Sequence, residues 1–235
     1  MSAAVEGSGI NRLLEDLPRK DRQRALQRCE SVALVAGATL CETDEPLRHV
    51  YFPVTGFISL VTEVRGHKPL ELGLIGNEGM LGVTVVLGIE CAPQRAVVQG
   101  AGTALRMSKP QLDLELRKSP NLTRSLNRYL FGWVVQLSQN TACNRFHEVE
   151  ARLARWLLLT HDRAHADQFH LTHEFLADML GVRRSAVTIA AGGLRRRRLI
   201  HYARGEIRIL DRGGLESASC ECYDAVRAQC ARASA

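Results

Sequence analysis

Apolar positions recur along the chain with three different spacings. In residues 10–30, Ile10, Leu13, Leu14 and Leu17, then Ala25 and Leu26 after Pro18, lie at helical intervals among many charges. That spacing predicts short helices. From about 31 to 107 the pattern changes to short β-rich runs: "SVALVAG", "HVYFPVTG", "FISLVTEVRG", "LELGLIG", "RAVVQGAG" and "TALRMS". Gly and Pro punctuate them, which predicts an antiparallel roll or sandwich rather than βαβ units. Phe57–Val64 followed by Arg65-Gly66 reads as one arm of a hairpin.

From 109 the helical spacing returns. Lys109–Lys118 reads as a short helix stopped by Ser119-Pro120. Beyond it, Leu122, Leu126, Tyr129, Trp133, Gln136, Asn140 and Cys143 recur in alternating steps of four and three. This is a coiled-coil-like seam on one long helix. A second row, Leu130, Val134 and Leu137, makes the helix apolar on two sides. One side is expected on the β-rich part and the other on a second copy of the chain. Val149, Leu153, Trp156 and Leu157 predict an amphipathic helix over 148–163. "AHADQF" then reads as a linker, and 169–210 as helix, turn, helix and hairpin.

The stretch 171–190, "LTHEFLADMLGVRRSAVTIA", carries the most specific pattern. Thr172 is a good N-cap, with Glu174 in the first turn. Gly181 sits where the helix must stop. Small Ala177 allows a close crossing, and Val187 is the buried residue of a second helix starting near Arg184. Ala, then Gly four residues later, then a β-branched residue six after that is the spacing of a DNA-binding helix-turn-helix. Leu199–Tyr202 and Glu206–Leu210, joined by Ala203-Arg204-Gly205, add a two-stranded wing. Ala190, Ala191, Gly192 and Gly193 fall inside the second helix, where two glycines suggest close packing on another helix.

Charge agrees with this placement. The chain carries a net +6. Between 171 and 208 eight arginines less three acids (Glu174, Asp178, Glu206) give +5, nearly the whole excess. Arginine suits bidentate contact with guanine edges and phosphates. At 46% hydrophobic residues the chain can build a proper core. Its longest apolar runs, such as "MLGVTVVLGI", are too short to span a bilayer. The N-terminus has no export pattern, so a cytoplasmic protein is expected. Seven scattered cysteines then read as reduced thiols. The spacing of Cys220, Cys222 and Cys230 is not that of a common zinc module, and no metal site is expected from it. "GLIGNEG" and "GLRRRRL" are not phosphate-cradling loops, and no nucleophile–base pair is visible, so the chain does not read as an enzyme.

Three stretches resemble the Crp/Fnr family of bacterial transcription regulators: "HVYFPVTGFISLV", "GNEGMLG" with "PQRAVV", and "LTHEFLADMLGVRRSAVTIAAGGLRRRRLIHYARGEIRI". The likeness covers about residues 12–212. It implies an α+β chain of three parts. Residues 1–118 would be an antiparallel, jelly-roll-like β-roll similar to cyclic-nucleotide-binding domains. Residues 119–147 would be a dimerisation helix, and 148–235 a C-terminal winged helix-turn-helix. The resemblance further implies a homodimer paired along 119–147, with recognition helices ~34 Å apart on a palindromic operator in double-stranded DNA. RNA polymerase would be a further partner, and an effector in the roll would control DNA binding. A constitutive DNA-binding protein with a ligand-free roll, or a sensor module for a protein partner, are the alternatives.

Residue by residue, the base-contacting positions of the family fall on Arg184, Ser185 and Ile189. Arg184 matches the guanine-reading arginine, whereas Ser185 and Ile189 depart from the best-known members. Arg183 and Thr188 are expected at phosphates, and Thr172 and Arg204 complete the DNA-facing set. Arg195–Arg198 lie at the helix's negative end, where positive charge is stabilising without DNA. The effector pocket would be formed by Gly79, Met80, Leu81, Gly82, Arg95, Ala96 and Ser138. Met80 stands where cyclic-nucleotide binders carry a ribose-holding acid, and Ala96 stands where they carry a hydroxyl. These departures argue against a cyclic nucleotide, and the effector is left unidentified. Cys29 and Cys41 are too sparse for an N-terminal iron–sulfur cluster. His49 and His67 are the candidates for a haem ligand, although lone histidines are ordinarily solvated or structural.

Overall fold

The computed structural model describes residues 9–164 and 166–234, with side chains through residue 228. Helices α1 (Arg12–Glu15) and α2 (Arg19–Leu26) open it. Buried Asn11 caps α1 by accepting from the Leu13 amide. Its Nδ2 donates to the Pro53 and Gly79 carbonyls at 2.8 and 2.9 Å, which pins the first helix to the sheet.

Five strands follow: β1 (Glu30–Leu34), β2 (Thr39–Cys41), β3 (His49–Thr62), β4 (Leu70–Ile75) and β5 (Arg95–Ser108). They form an antiparallel sheet in the order β1-β5-β3-β4, with β2 also on β5. The runs "HVYFPVTG" and "FISLVTEVRG" are one strand rather than two. Gly56 lets the chain continue: its φ is +72°, and a Cβ there would stand 2.4 Å from the Gly100 oxygen. The β3–β5 register shifts on both sides of it, so the ladder bends without ending. Phe52, Ile58, Met80 and Met107 fill the roll with Leu112, Leu122 and Leu126 from the helices below.

Helix α3 (Lys109–Lys118) begins with a capping box of Ser108 and Gln111. Its fully buried Glu115 is held by Arg24 and Arg28, each at 2.6 Å. Two guanidiniums on one desolvated carboxylate satisfy the charge and bind α2 to α3. Ser119 caps α4 (Pro120–Phe146).

The coiled-coil-like seam turns inward. Leu122, Leu126, Gln136 and Cys143 are buried in their own chain, and Tyr129 and Trp133 pack on the roll. Heptad spacing records only that one face is apolar; the roll, covalently tethered, takes that face. On the opposite side Phe131 is 63% and Val134 53% exposed, while Leu130 and Leu137 are half-buried.

After α4 come α5 (Val149–Ala164), β6 (Gln168–His170), α6 (His173–Leu180), α7 (Arg184–Arg196), β7 (Ile200–Ala203) and β8 (Glu206–Ile209). The wing is therefore three-stranded, in the order β6-β8-β7. Its first strand lies in the stretch expected to be a linker. A three-residue strand with only Phe169 facing inward has no period to read. The helices α8 (Arg212–Ala218) and α9 (Cys222–Ser234) had no counterpart in the sequence pattern. The last of these packs back along α4. Its Tyr223 is buried, donating to Asp162 at 2.9 Å and accepting from Arg212 at 2.7 Å.

The two halves touch through β4 and its hairpin. Trp156 of α5 donates to Glu71 at 2.8 Å, and Lys68 pairs with Glu174 and, at 3.2 Å, with Asp178 on α6. Among the described residues no helix is long and apolar enough to cross a membrane.

Candidate nucleic-acid interface and ligand site

The N-cap Thr172 accepts from the Phe175 amide at 3.1 Å, and α6 ends at Gly181 with φ +63°. A Cβ on Gly181 would stand 2.8 Å from Leu70, so the turn needs glycine for conformation and for space. Ala177 and Val187 are buried where the helices cross, with Ala190, Ala191 and Leu194 continuing the inner face of α7. Its outer face carries Arg184, Ser185, Thr188 and Ile189, with Arg183 at the N-cap, all exposed. Ile189 is 72% exposed. The wing turn holds Arg204 and Gly205 at φ +51° and +84°, as a type I′ hairpin requires. Arg204 is exposed at its tip.

Sequence reading missed His173. Its ring stacks on Tyr202 of the wing with centroids 4.2 Å apart, and Nδ1 lies 3.0 Å from the Thr188 hydroxyl. That hydroxyl donates to the Arg184 carbonyl at 3.1 Å. One imidazole thus joins α6, α7 and wing. Burial, and then the neighbouring Arg184 charge, hold its pKa below the usual histidine value. Gly193 does make a close approach, since a Cβ there would clash with the Glu150 carboxylate of α5; Gly192 faces open space. Of the arginine run, Arg197 pairs with Glu150 at 3.2 Å and all four are exposed.

Of the expected effector residues, Met80, Leu81 and Gly82 line one small cavity, and Gly79, Arg95, Ala96 and Ser138 are not part of its lining. Met80 and Leu81 are buried and, with Gly82, line a cavity of about 40 Å³ closed by Tyr129 and Trp133. Gly79 lies against Tyr129, where a Cβ would stand 2.4 Å from the hydroxyl oxygen. Ala96 is buried in β5, opposite Leu60 of β3, and Arg95 pairs with Glu63 at 3.2 Å. Ser138 is exposed on the free side of α4 and donates to the Val134 carbonyl. Ligand pockets are ordinarily ~300 Å³ or more, and the cavity at Met80 is smaller than that. A roomier cleft of about 270 Å³ runs between α1, α4 and α9, past Asp16, Arg124 and Gln139. His49 begins β3 and His67 sits in the β3–β4 hairpin.

Cys220 and Cys222 lie beside Cys143 and His147 at the end of α4, with all four ligand atoms within 4.8 Å of one another. The Cys230 side chain lies outside the described residues.

Two family models match in tandem. A cyclic nucleotide-binding domain matches residues 31–119, and a Crp-like helix-turn-helix domain matches residues 151–218. The chain belongs to the Crp/Fnr family. Its Crp/Fnr architecture, a DNA-binding transcription-regulator fold, recurs in solved structures that align over most of both chains. FixK2 from Bradyrhizobium japonicum superposes with a TM-score of 0.69 at 16% identity, covering 82% of this chain and 98% of its own. CLP, the c-di-GMP-responsive global regulator of Xanthomonas campestris, gives 0.67 at 15%, covering 82% and 99%. A Crp/Fnr-family regulator from Thermus thermophilus gives 0.64 at 21%, covering 81% and 98%. At these identities the likeness is one of fold. No curated protein matches the sequence. Within this Crp/Fnr chain, the local spacing that betrayed the helix-turn-helix lay inside one short stretch. His173 had no such signal. The signal for the thiol cluster was a Cys-x-x-x-His pair at the end of the long helix, with Cys143 77 positions from Cys220.

Proposed function

We propose that this Crp/Fnr chain binds a palindromic operator as a homodimer and so regulates transcription. The observation that carries the reading is α7: its inner face is core, while Arg184, Ser185 and Ile189 stand free along its outer face. Such a helix enters a major groove with its N-terminal residues on base edges. Arg184 reads a guanine, and Ile189 meets a thymine methyl beside Ser185. Arg183, Thr172 and Arg204 hold phosphates, which fix register without reading sequence, with Thr188 next to them. Phe131 and Val134, exposed in the single chain, meet their copies in the dimer, and Ser138 lies on that same free side. Operator occupancy then acts by recruiting or blocking RNA polymerase.

The filled roll favours a second reading of the control. With about 40 Å³ at the Gly79–Gly82 segment, DNA binding needs no nucleotide there. Residues Gly79, Met80, Leu81, Gly82, Arg95 and Ala96 then serve as packing rather than as a ligand shell.

Selection of bound duplexes from a random pool tests the first reading. The expected product is an inverted repeat with a fixed guanine in each half-site, bound with steep salt dependence from phosphate neutralisation. A pool that emerges without enrichment would refute it. Cyclic nucleotides added to the same binding assay are expected to leave the affinity unchanged.

A further inference from the structure

The end of α4 and the loop between α8 and α9 assemble a group of side chains that the DNA-binding reading does not use. Cys143 lies in the last turn of α4 and His147 is its C-cap, whose amide donates to the Cys143 carbonyl. Cys220 and Cys222 flank the start of α9. The Cys143 and Cys220 sulfurs are 3.6 Å apart, and the Cys222 sulfur is 3.5 Å from His147 Nδ1. All four donor atoms fit within 4.8 Å, and the three thiols are buried.

Those separations are the edges of a small tetrahedron. A Zn²⁺ with Zn–S bonds of ~2.3 Å and a Zn–N bond of ~2.0 Å holds its sulfurs ~3.8 Å apart and each sulfur ~3.5 Å from the nitrogen. The Cys143–Cys220 and Cys222–His147 contacts, at 3.6 and 3.5 Å, match these edges, and the remaining separations stay within 4.8 Å. A disulfide would require ~2.05 Å between sulfurs, and the described cysteines are all free. An iron–sulfur cluster puts its thiolates on different irons and spreads them beyond the reach of one ion.

The surroundings are also those of a metal site. His147 turns its other nitrogen, Nε2, to Glu221 at 3.1 Å, the carboxylate–histidine arrangement that orients a metal-bound imidazole. Gln139 donates to the Cys222 sulfur at 2.9 Å. Three thiolates, one neutral imidazole and one Zn²⁺ carry a net single negative charge. Arg152 and Arg155, buried on α5 within electrostatic range of Cys143, supply positive charge beside it. The Nε of each has no hydrogen-bond partner.

We propose that Cys143, His147, Cys220 and Cys222 bind one Zn²⁺ in a closed, structural Cys3His site. Four protein ligands leave no open position, so the ion does no hydrolytic chemistry. It clasps the C-terminal segment onto the long helix. It also stiffens the base of the DNA-binding domain, because Arg152 reaches from the cluster's edge to the Leu180 carbonyl at the end of α6.

Metal analysis of the purified full-length chain tests this. One equivalent of zinc per chain is expected. After removal with a chelator under reducing conditions, the chain should take up one equivalent of Zn²⁺ or Co²⁺. The Co²⁺ form should show the visible absorption of a tetrahedral thiolate site. Cys222→Ser and His147→Ala should each weaken Zn²⁺ binding at least tenfold, while Cys91→Ser, at an exposed thiol, should leave it unchanged. If the first two variants do not fold, mercurial titration of the wild-type chain should release its zinc as three thiols are modified. A folded, reduced chain that takes up neither ion overturns the proposal. So does iron bound in place of zinc, or full zinc binding by Cys222→Ser.

Discussion

Arg184 and the louder run Arg195–Arg198 differ in what their side chains can reach. Arg184 opens α7, on the exposed face of a helix whose other face is core. The run closes that helix, and one of its members is already paired with Glu150. Arg184→Ala is therefore expected to cost about 1–3 kcal/mol at the selected operator and to relax one base position per half-site. Arg196→Ala should weaken cognate and random duplexes alike. Equal losses on both duplexes for Arg184→Ala, read by anisotropy titration, would remove its base-reading role. At this scale the sequence was informative where causes are local. Thr172, Ala177, Gly181 and Val187 answer to the geometry of a single turn, and their spacing shows it. His173 was illegible because its partners, Thr188 and Tyr202, come from other elements. The effector residues show the opposite case. Motif positions around Met80 were readable, but the volume left between side chains is a property of packing.

Elements were legible where their period was long. The helices α4, α5 and α7 and the hairpin β7–β8 follow from apolar spacing and turn residues. Strand β6 was too short to show a period, and β3 was masked by Gly56, which usually marks a turn. Glycines inside regular elements separate into two kinds that sequence cannot distinguish. Gly192 has no neighbour closer than the tip of Arg196, at 3.6 Å from an added Cβ. Gly192→Ala should raise stability by about 1 kcal/mol, the helix-propensity difference. In β4, a Cβ on Gly73 would stand 2.6 Å from the Trp133 ring and 2.9 Å from the Gln136 amide. Gly73→Ala should cost about 1–3 kcal/mol, since a packed indole cannot swing away. Denaturant unfolding of both variants checks the pair; an unchanged midpoint for Gly73→Ala would mean that α4 is free to shift off the roll.

For the whole molecule, two contacts decide behaviour. The first is the uncovered side of α4. Phe131→Glu puts charge where two copies would meet, and sedimentation should show a monomer whose binding to a full palindrome falls at least tenfold. A dimer that survives would place the interface elsewhere. The second is Glu71, between β4 and α5. Burial raises its carboxyl pKa above the ordinary 4.5, against hydrogen bonds from Ser59 and Trp156 and the pull of Arg163. The folded chain therefore holds this proton more tightly than the unfolded chain. Glu71 stabilises the fold fully below pH 4.5, and that contribution fades as pH rises through the folded-state pKa. Glu71→Gln should flatten this part of the melting profile against pH. An identical pH slope in the variant would show that the carboxyl is not protonated there. The second row of apolar residues on α4 announced the first contact, whereas the Glu71 contact was not visible in the chain's pattern, because it joins two elements whose own periodicities are satisfied separately.

The order in which the chain is made gives α9 a particular cost. Helix α4 is complete long before its cover, since Cys143 and Cys220 are 77 positions apart. At about 5–20 residues per second, the ribosome leaves that flank bare for roughly 4–15 s. During this interval Cys143 and the apolar surface that Tyr223 and Val226 will cover face solvent and any passing chaperone. A nascent chain stalled before residue 220 would be a complete roll and wing that still lacks its last seal.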